Sequence, residues 1–373
     1  MMDRVSRVPE VLIVGHDASR TGAPAVAATF ARWAERTKRA AVRSIVLRGG
    51  PLARSSAWPG LSTPGRATTV LARSGRAEVH ALRLARAAHA FERPPVVVAN
   101  TVAAWAAAAQ IRRRARLVCW VHELDGVADA ILTPSERARL STVTDRFVAV
   151  DPSVAAMLTQ RWGIDPDRVV MVPPFADAPP GGAPTGDLQV LGAGSLVPRK
   201  GADLFVSVLS QLRSSQPATT LRPGGAAWVG GPIAHPFADL VRADLEAAGL
   251  GPVVRLAGPQ PSLEPWWPAK GLLLHAPRED PAPLVVLEAA MRGVPTVTWA
   301  TGGAGTFLEA AGAGDLVVDA GDVVAMADRA AALLAAPERR AELGEQVRIA
   351  ASERSTDRVA PRLLADLIGR ETA

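Results

Sequence analysis

Short apolar runs alternate with helical segments along this chain in two successive series, which a Pro/Gly-rich stretch between Val172 and Asp187 separates. Parallel strands are joined by crossovers that are usually helices, so this alternation predicts parallel sheets covered on both faces. The first series contains predicted strands at 11–14, 44–47, 96–99, 117–121 and 147–150. The second contains predicted strands at 190–193, 226–229, 253–257, 271–275, 296–298 and 315–318.

The length of 373 residues exceeds what one ordinary hydrophobic core encloses, which also favours two domains. We predict an N-terminal Rossmann-like domain over 1–175, a linker over 176–188 and a C-terminal Rossmann-like domain over 189–350. A helix is expected from about 25 to 35, and amphipathic helices are predicted at 337–350 and 357–368.

The composition excludes several classes of protein. Cys119 is the single cysteine, so internal disulfides and cysteine-based zinc sites are excluded, and the six histidines lack the spacing of metal ligands. No apolar stretch reaches the length of a transmembrane helix, and the polar residues 1–10 do not resemble a signal peptide. We therefore expect a cytoplasmic protein without a metal site.

The charge is distributed unevenly along the chain. Residues 1–175 carry 25 Lys and Arg against 14 Asp and Glu, whereas residues 176–373 carry 17 against 22. The basic half should attract anionic partners, either an anionic membrane face or a lipid-phosphate acceptor, unless it is simply a solvated arginine-rich surface. Nucleic acid is not expected, because aromatic residues are not interleaved with the arginines and no binding motif is present.

Two acids, Asp280 and Glu288, flank an apolar helix start with seven residues between them. Pro281 and Pro283 favour an extended approach, and Pro283 suits the first helical position. Glu288 falls on or beside the apolar stripe of the following helix, where an ionised carboxylate needs hydrogen-bond donors.

The same helix start offers free backbone N–H groups, including those of Leu284 and Val285, which favour an anion. A phosphate at the helix start, together with hydroxyl groups for the two acids, would satisfy these polar groups. A nucleotide sugar supplies both kinds of group.

A second motif spans 192–205 and joins a predicted strand to a predicted helix. Its adjacent cations, Arg199 and Lys200, can neutralise a diphosphate leaving group, although ordinary surface charges on an exposed turn would look the same. The motif lacks the third glycine of a dinucleotide fingerprint, and no Ser or Thr follows Lys200 as in a Walker loop. Binding of NAD and hydrolysis of ATP are therefore excluded.

Polar residues also follow predicted strands of the N-terminal half. His122 and Glu123 come directly after one strand, where a histidine can position a substrate hydroxyl or cap the next helix. The loop 16–24 contains Gly22, which permits close approach of a ligand or serves only a turn. Asn100 and Thr101 form a further acceptor-side candidate.

The segment around the two acids resembles the donor site of retaining glycosyltransferases of the GT-B fold, especially family 4. Their pattern is Glu, seven residues, Glu, a small-residue helix, Gly-x-Pro, a strand and a Gly-Gly turn, matched here by 280–303. The chain departs from the pattern at Asp280, where the family has Glu, although the adjacent Glu279 is an alternative. It departs again at Pro283, where many members have Gly.

The resemblance implies an α/β fold of the GT-B type, with two Rossmann-like domains whose parallel sheets face each other across a cleft. A helix within 351–373 is expected to cross back to the N-terminal domain. The activity implied is transfer of a sugar from a nucleoside-diphosphate sugar to a hydroxyl acceptor, with retention of anomeric configuration and without a metal or other cofactor.

The resemblance also implies roles for residues in this chain. Glu288 is expected to bind the nucleotide ribose, and Asp280, or Glu279, to hold sugar hydroxyls. Lys200 and Arg199 are expected to stabilise the departing diphosphate.

Three backbone N–H groups, those of Leu284, Val285 and Gly303, are expected to assist at the donor phosphates. His122 is expected to orient the transferred sugar, and the loop carrying Gly22 to lie near the donor phosphate and the acceptor.

Two other functions are compatible with the sequence. A nucleotide-sugar epimerase of the same fold would consume the donor without an acceptor. A non-catalytic GT-B protein would bind an anionic partner or membrane through its basic half, and Asp280 in place of Glu keeps this alternative open.

Overall fold

A computed structural model of the chain describes residues 8–54, 57–63, 96–112, 114–179, 184–215 and 221–369. The chain divides into two compact units. Unit 1 contains Met1–Asp177 and Thr356–Ala373, and unit 2 contains Ala178–Ser355. The predicted linker 176–188 includes this boundary, and its residues 180–183 lie outside the described ranges.

Unit 1 is built on a parallel sheet whose seven described strands have the order β3-β2-β1-β4-β5-β6-β7. The strands are Glu10–Gly15 (β1), Ala41–Val46 (β2), Leu61–Ser62 (β3), Val96–Asn100 (β4), Arg116–Val121 (β5), Arg146–Ala149 (β6) and Val169–Met171 (β7). The central strands β1, β4 and β5 are apolar except for one end residue each, Glu10, Asn100 and Arg116, because helices cover both faces of such a sheet.

Several of these strands are followed by α-helices in the described part of the chain. These helices are Gly22–Thr37 (α1), Val102–Ile111 (α2), Asp125–Ile131 (α3), Pro134–Val143 (α4) and Pro152–Ala156 (α5). The start of α4 is fixed by Thr133 and Glu136, which form a reciprocal capping box.

Unit 2 repeats the architecture with a parallel sheet whose six described strands have the order β10-β9-β8-β11-β12-β13. The strands are Val190–Ala193 (β8), Ala226–Val229 (β9), Val254–Gly258 (β10), Leu272–His275 (β11), Thr296–Trp299 (β12) and Val317–Val318 (β13).

The remaining described helices are Ala202–Ser215 (α6), Pro236–Ala247 (α7), Leu284–Met291 (α8), Gly303–Ala310 (α9), Val323–Ala335 (α10), Pro337–Ser352 (α11) and Thr356–Ile368 (α12). The last of these belongs to unit 1. There its Thr356 hydroxyl donates to Asp177 Oδ1 at 2.8 Å, and Leu363 is fully buried.

Each sheet reverses its direction of growth at one place, between β1 and β4 in unit 1 and between β8 and β11 in unit 2. In open parallel sheets, the carboxyl ends of the strands beside such a reversal form a crevice in which ligands bind. The topology therefore directs attention to the residues that follow β1, β4, β8 and β11.

All eleven predicted strands are present, with boundaries that differ by a few residues. The last is shortened to Val317–Val318 because Gly314–Leu316 forms a 3-10 turn. Two strands, Leu61–Ser62 and Val169–Met171, were not predicted, since both are short and partly exposed and so carry no continuous apolar run.

Candidate functional site

In unit 1, the strand ends at the reversal hold His122 in one orientation. Asn100 Nδ2 donates to the Ala23 carbonyl at 3.0 Å, so its Oδ1 faces His122 Nε2 at 2.9 Å. The imidazole therefore carries its proton on Nε2 and presents Nδ1 as a hydrogen-bond acceptor. Burial, together with the neighbouring His16, lowers the pKa of His122 to about 3, which keeps the ring neutral near pH 7.

Glu123 fixes the backbone around this histidine. Its Oε2 accepts from the His122 N–H at 3.0 Å and from the Val102 N–H at 3.4 Å, so one buried carboxylate joins the end of β5 to the start of α2. Thr101, immediately before α2, is buried and has φ 102 and ψ 154. A non-glycine residue with this backbone is strained, and such strain often marks a functional site.

The β1–α1 loop meets the same cluster. His16 Nδ1 lies 3.3 Å from the Thr101 hydroxyl, and His16 Nε2 lies 3.4 Å from Asp17 Oδ2. Gly22 is the exposed first residue of α1, and a Cβ added there would meet no atom within 4 Å. The protein's own packing therefore does not require glycine at this position.

In unit 2, the loop after β8 and the loop after β11 are in direct contact beside the sheet reversal. A 3-10 turn over Pro198–Lys200 follows β8 and ends at Gly201, which has φ 72. A Cβ at Gly201 would lie 1.9 Å from the Ala276 carbonyl oxygen, so only glycine allows the turn to approach the loop after β11. We call the turn and the loop 276–283 the clasp.

Arginine side chains close the clasp. Arg199 Nη1 donates to the Glu279 carbonyl at 2.8 Å, and the Arg278 N–H donates to the Arg199 carbonyl at 2.9 Å. Arg278 also forms a bidentate pair with Asp203, at 2.9 and 2.6 Å. Arg199 thus commits one donor to the fold of the site, and Arg278 stabilises the turn from outside.

Lys200 and Asp280 form an ion pair within the clasp, in which Lys200 Nζ donates to Asp280 Oδ2. The Asp280 side chain is 9% exposed. Burial raises the pKa of this carboxyl, but the charges of Lys200, His275 and Arg199 outweigh burial, so the net pKa lies below its usual value. Asp280 is therefore a buried, ionised acid.

Glu279, the alternative first acid, has a different environment. Its Oε1 is buried and has no hydrogen-bond partner within the described residues. Lys200 contacts Asp280 and not Glu279, so the geometry favours Asp280 as the acid of the site.

Helix α8 starts with two open donors. The Leu284 and Val285 N–H groups have no hydrogen-bond partner among the described residues, whereas the Val286 N–H donates to the Pro283 carbonyl at 3.2 Å. The sequence predicted Pro283 as the first residue of the helix. In the structure Pro283 precedes the helix, which begins at Leu284. The Gly303 N–H donates to the Pro281 carbonyl at 3.0 Å, so in this structure it is engaged within the protein.

Glu288 lies one turn further along α8 and is partly buried. Burial raises the pKa of its carboxyl to about 7, Arg292 opposes this effect and Glu264 adds to it. Arg292 is itself paired with Glu264 and stacked 5.0 Å from the Trp267 ring centre. No hydrogen bond to the Glu288 carboxylate occurs among the described residues, so its oxygens are available to a ligand.

Two residues of these clusters were not predicted as site residues. His275 ends β11 beside Asp280, and His16 follows β1 beside Thr101. The signal for both was a polar residue at the carboxyl end of an apolar run, next to the reversal of a sheet.

Each of the two units matches a separate family model. Residues 21–178 match the family model described as Glycosyltransferase Family 4, and residues 187–336 match the model described as Glycosyl transferases group 1. The two models together match most of the chain, so both units are similar to glycosyltransferases. The matched ranges contain Asn100, His122 and the clasp, whereas His16 lies before the first of them.

Curated relatives of this chain include the D-inositol 3-phosphate glycosyltransferase 2 of Catenulispora acidiphila, 30% identical over 61% of this chain and 59% of the relative. The D-inositol 3-phosphate glycosyltransferase of Jonesia denitrificans is 30% identical over 54% of each chain. The chain thus spans less than two thirds of the length of these relatives.

Solved structures share the fold. The Anabaena Alr3699/HepE complex with UDP-glucose has a TM-score of 0.79 at 16% identity, covering 96% of this chain and 99% of that one. The lipopolysaccharide glycosyltransferase WaaG has a TM-score of 0.70 at 17% identity, covering 96% and 100%. The predicted GT-B class, with two Rossmann-like parallel-sheet domains, is confirmed. Within the described ranges, no helix has the length and apolar character needed to cross a bilayer.

Proposed function

We propose that this chain is a retaining glycosyltransferase that moves a sugar from a nucleoside-diphosphate sugar to a hydroxyl acceptor. The observation that carries the proposal is the Lys200–Asp280 pair in the clasp, close in sequence to the open N–H groups at the start of α8. A cation and free backbone donors suit a diphosphate, and a buried ionised acid suits sugar hydroxyls.

The donor is proposed to be a UDP-sugar, because a structure of the same fold, Alr3699/HepE, was obtained in complex with UDP-glucose. The Leu284 and Val285 N–H groups and Lys200 would bind the diphosphate. Glu288 would bind the ribose, since a carboxyl with a pKa near 7 and no protein partner can pair with neighbouring hydroxyls.

Catalysis would come from stabilising the charge that develops on the departing diphosphate. Interactions that strengthen as that charge grows lower the barrier more than interactions that bind the donor uniformly. Lys200 is proposed as the main cation, with Arg199 contributing donors that the Glu279 carbonyl leaves free. We propose that no divalent cation is needed.

His122 is proposed to orient a sugar hydroxyl. Its Nδ1 is a hydrogen-bond acceptor of fixed direction, because Asn100 and Ala23 determine which nitrogen carries the proton. The neutral ring would hold the hydroxyl without adding a charge near the reaction.

The acceptor is proposed to be a phosphorylated polyol. The curated relatives described above are named D-inositol 3-phosphate glycosyltransferases, and a phosphate on the acceptor would be attracted by the excess of Lys and Arg in residues 1–175. The same charge is the basis for proposing a cytoplasmic protein with peripheral contact to the anionic inner membrane face.

A panel of nucleotide sugars tests the donor proposal. Purified protein is mixed with UDP-, GDP-, ADP- and dTDP-sugars and inositol phosphates, in EDTA, while nucleotide release and the anomeric configuration of the product are followed. We expect an α-linked product from an α-linked UDP-sugar, and a loss of roughly 100-fold in rate for Lys200→Ala.

Lys270→Ala and Glu246→Ala are matched controls, because both residues are exposed in unit 2 and neither is part of the clasp. Inversion of configuration would contradict the retaining mechanism. Equal activity of Lys200→Ala and Lys270→Ala would contradict the donor site.

A further inference from the structure

A buried histidine nitrogen without a partner lies at the centre of unit 2. His275, the last residue of β11, is 5% exposed, and its Nε2 is buried without a hydrogen-bond partner among the described residues. Leaving a buried polar atom unpaired has an appreciable free-energy cost, so each case calls for an explanation.

The nearest charged group explains where this nitrogen is directed. His275 Nε2 lies 3.7 Å from Asp280 Oδ2, just beyond hydrogen-bond distance. The same oxygen accepts from Lys200 Nζ, so it lies between the Lys200 cation and the imidazole Nε2 of His275.

A bound diphosphate would compete with Asp280 for the hydrogen bonds of Lys200. The Lys200 side chain is 20% exposed in its pair with Asp280, and a phosphate at the start of α8 would compete for its ammonium with two or more oxygens. Any movement of Lys200 toward the phosphate weakens its contact with Asp280, whose carboxylate is too buried for water to replace the lost partner.

We infer that His275 is a positioning residue that takes over Asp280 Oδ2 by donating its Nε2–H when Lys200 turns to the diphosphate. The inference rests on the proposed donor site and deepens it. A shift of less than about 1 Å brings His275 Nε2 and Asp280 Oδ2 to the usual N–H···O distance. The charged groups that face His275 are Asp280 and Lys200, and Arg199 also acts on Asp280.

If His275 replaces Lys200 as the donor to Asp280, its loss should weaken binding of a nucleoside diphosphate more than binding of a monophosphate. A His275 that only packs in the core would affect both nucleotides equally. A nucleoside diphosphate recruits Lys200 and so needs the substitute donor, whereas the matching monophosphate lacks the second phosphate. His275 should therefore matter for the difference in affinity between the two nucleotides.

The experiment measures dissociation constants of UDP and UMP by calorimetry for the wild type, His275→Gln and His275→Leu. Glutamine can place an N–H close to the position of Nε2, while leucine fills the space without a donor. We expect His275→Leu to weaken UDP binding about tenfold and His275→Gln to stay within about threefold of wild type, with UMP binding nearly unchanged in both.

Equal loss in both variants, equal loss for UDP and UMP, or no loss in either would overturn the inference. A wild type that binds none of UDP, GDP, ADP and dTDP would instead overturn the donor-site proposal itself. If another diphosphate binds most tightly, it and its monophosphate replace UDP and UMP.

A second measurement applies if His275→Leu does not fold. In wild-type protein labelled with ¹⁵N-histidine, saturation with UDP should move the His275 Nε2–H resonance to the downfield position of an N–H bound to a carboxylate, and UMP should not. An unchanged resonance at saturating UDP would contradict the exchange.

Discussion

At the scale of the residue, Glu288 shows what a partly buried carboxyl without a hydrogen-bond partner costs the folded state. Its carboxyl lies partly buried on α8, and the neighbouring Arg292 is already paired with Glu264. Ionising Glu288 is therefore unfavourable in the folded protein, and its pKa rises to about 7. We therefore expect Glu288 to lower the free energy of unfolding, while its carboxylate oxygens stay free to bind a ligand.

The pH dependence of Glu288→Gln tests this. Between the unfolded pKa near 4.5 and the folded value near 7, the unfolded chain releases a proton that the folded chain keeps, so wild-type stability falls as pH rises. Glutamine mimics the neutral acid, so we expect nearly equal stability at and below pH 4.5 and a variant more stable by up to roughly 3 kcal/mol at pH 8.

Urea unfolding at the two pH values measures the difference, with Glu246→Gln on the exposed face of α7 as the control. A Glu288→Gln variant less stable than wild type at pH 8 would show that Glu288 serves the fold. The same variant should bind UDP more weakly.

At the scale of the element, the clasp shows how two loops form a site before any ligand arrives. Gly201 lets the Pro198–Lys200 turn touch the Ala276 carbonyl, and across this contact Arg199 donates to the Glu279 carbonyl and accepts from the Arg278 N–H. The ion pair of Lys200 with Asp280 is thus held by backbone geometry on both sides.

Comparing Gly201→Ala with Gly224→Ala distinguishes the effect of the loop contact from the effect of a positive φ alone. Gly224 also has a positive φ, 65 against 72 for Gly201, but a Cβ there meets no atom within 4 Å. We expect Gly224→Ala to cost about 1 kcal/mol of unfolding free energy and Gly201→Ala at least about 2 kcal/mol more. Chemical denaturation checks both, and equal losses would contradict the clasp as a tight loop contact.

The elements were predictable from sequence to a greater extent than the contacts. Apolar runs such as that of β4 identified the strands, because a strand buried on both faces must be apolar along its length. The acids and cations of the clasp were also recognisable. The pairing of Lys200 with Asp280 and the exposure of the Glu288 oxygens depend on loop geometry, which no periodic pattern encodes.

The backbone strain at Thr101 and the tautomer of His122 could not be predicted from the sequence either. The positive φ of Thr101 and the proton position on His122 follow from contacts between residues far apart in sequence, such as Asn100 with Ala23. The sequence indicates where polar residues meet the strand ends and leaves their hydrogen bonds undetermined.

At the scale of the whole molecule, the two units repeat one plan with different chemistry at the sheet reversal. Unit 1 presents a neutral histidine, His122, beside a strained Thr101, and unit 2 presents the Lys200–Asp280 pair. The charge is divided as well, since residues 1–175 have an excess of Lys and Arg and residues 176–373 an excess of Asp and Glu.

Vesicle sedimentation tests the consequence of this division. We expect the protein to sediment with vesicles that contain phosphatidylglycerol, not with phosphatidylcholine alone, and to be released as salt rises from about 0.05 to 0.5 M because the interaction is screened. Equal sedimentation with both lipids, or binding insensitive to salt, would contradict an electrostatic contact through the basic half.

The central claim is that unit 2 binds a nucleoside diphosphate at Lys200 and the start of α8. A crystal structure of the protein with UDP tests it most directly. We expect the β-phosphate within hydrogen-bond distance of Lys200 Nζ and of the Leu284 or Val285 N–H, with the ribose hydroxyls on Glu288. UDP bound elsewhere, or a Lys200–Asp280 pair with no phosphate beside it at full occupancy of the nucleotide, would contradict the claim.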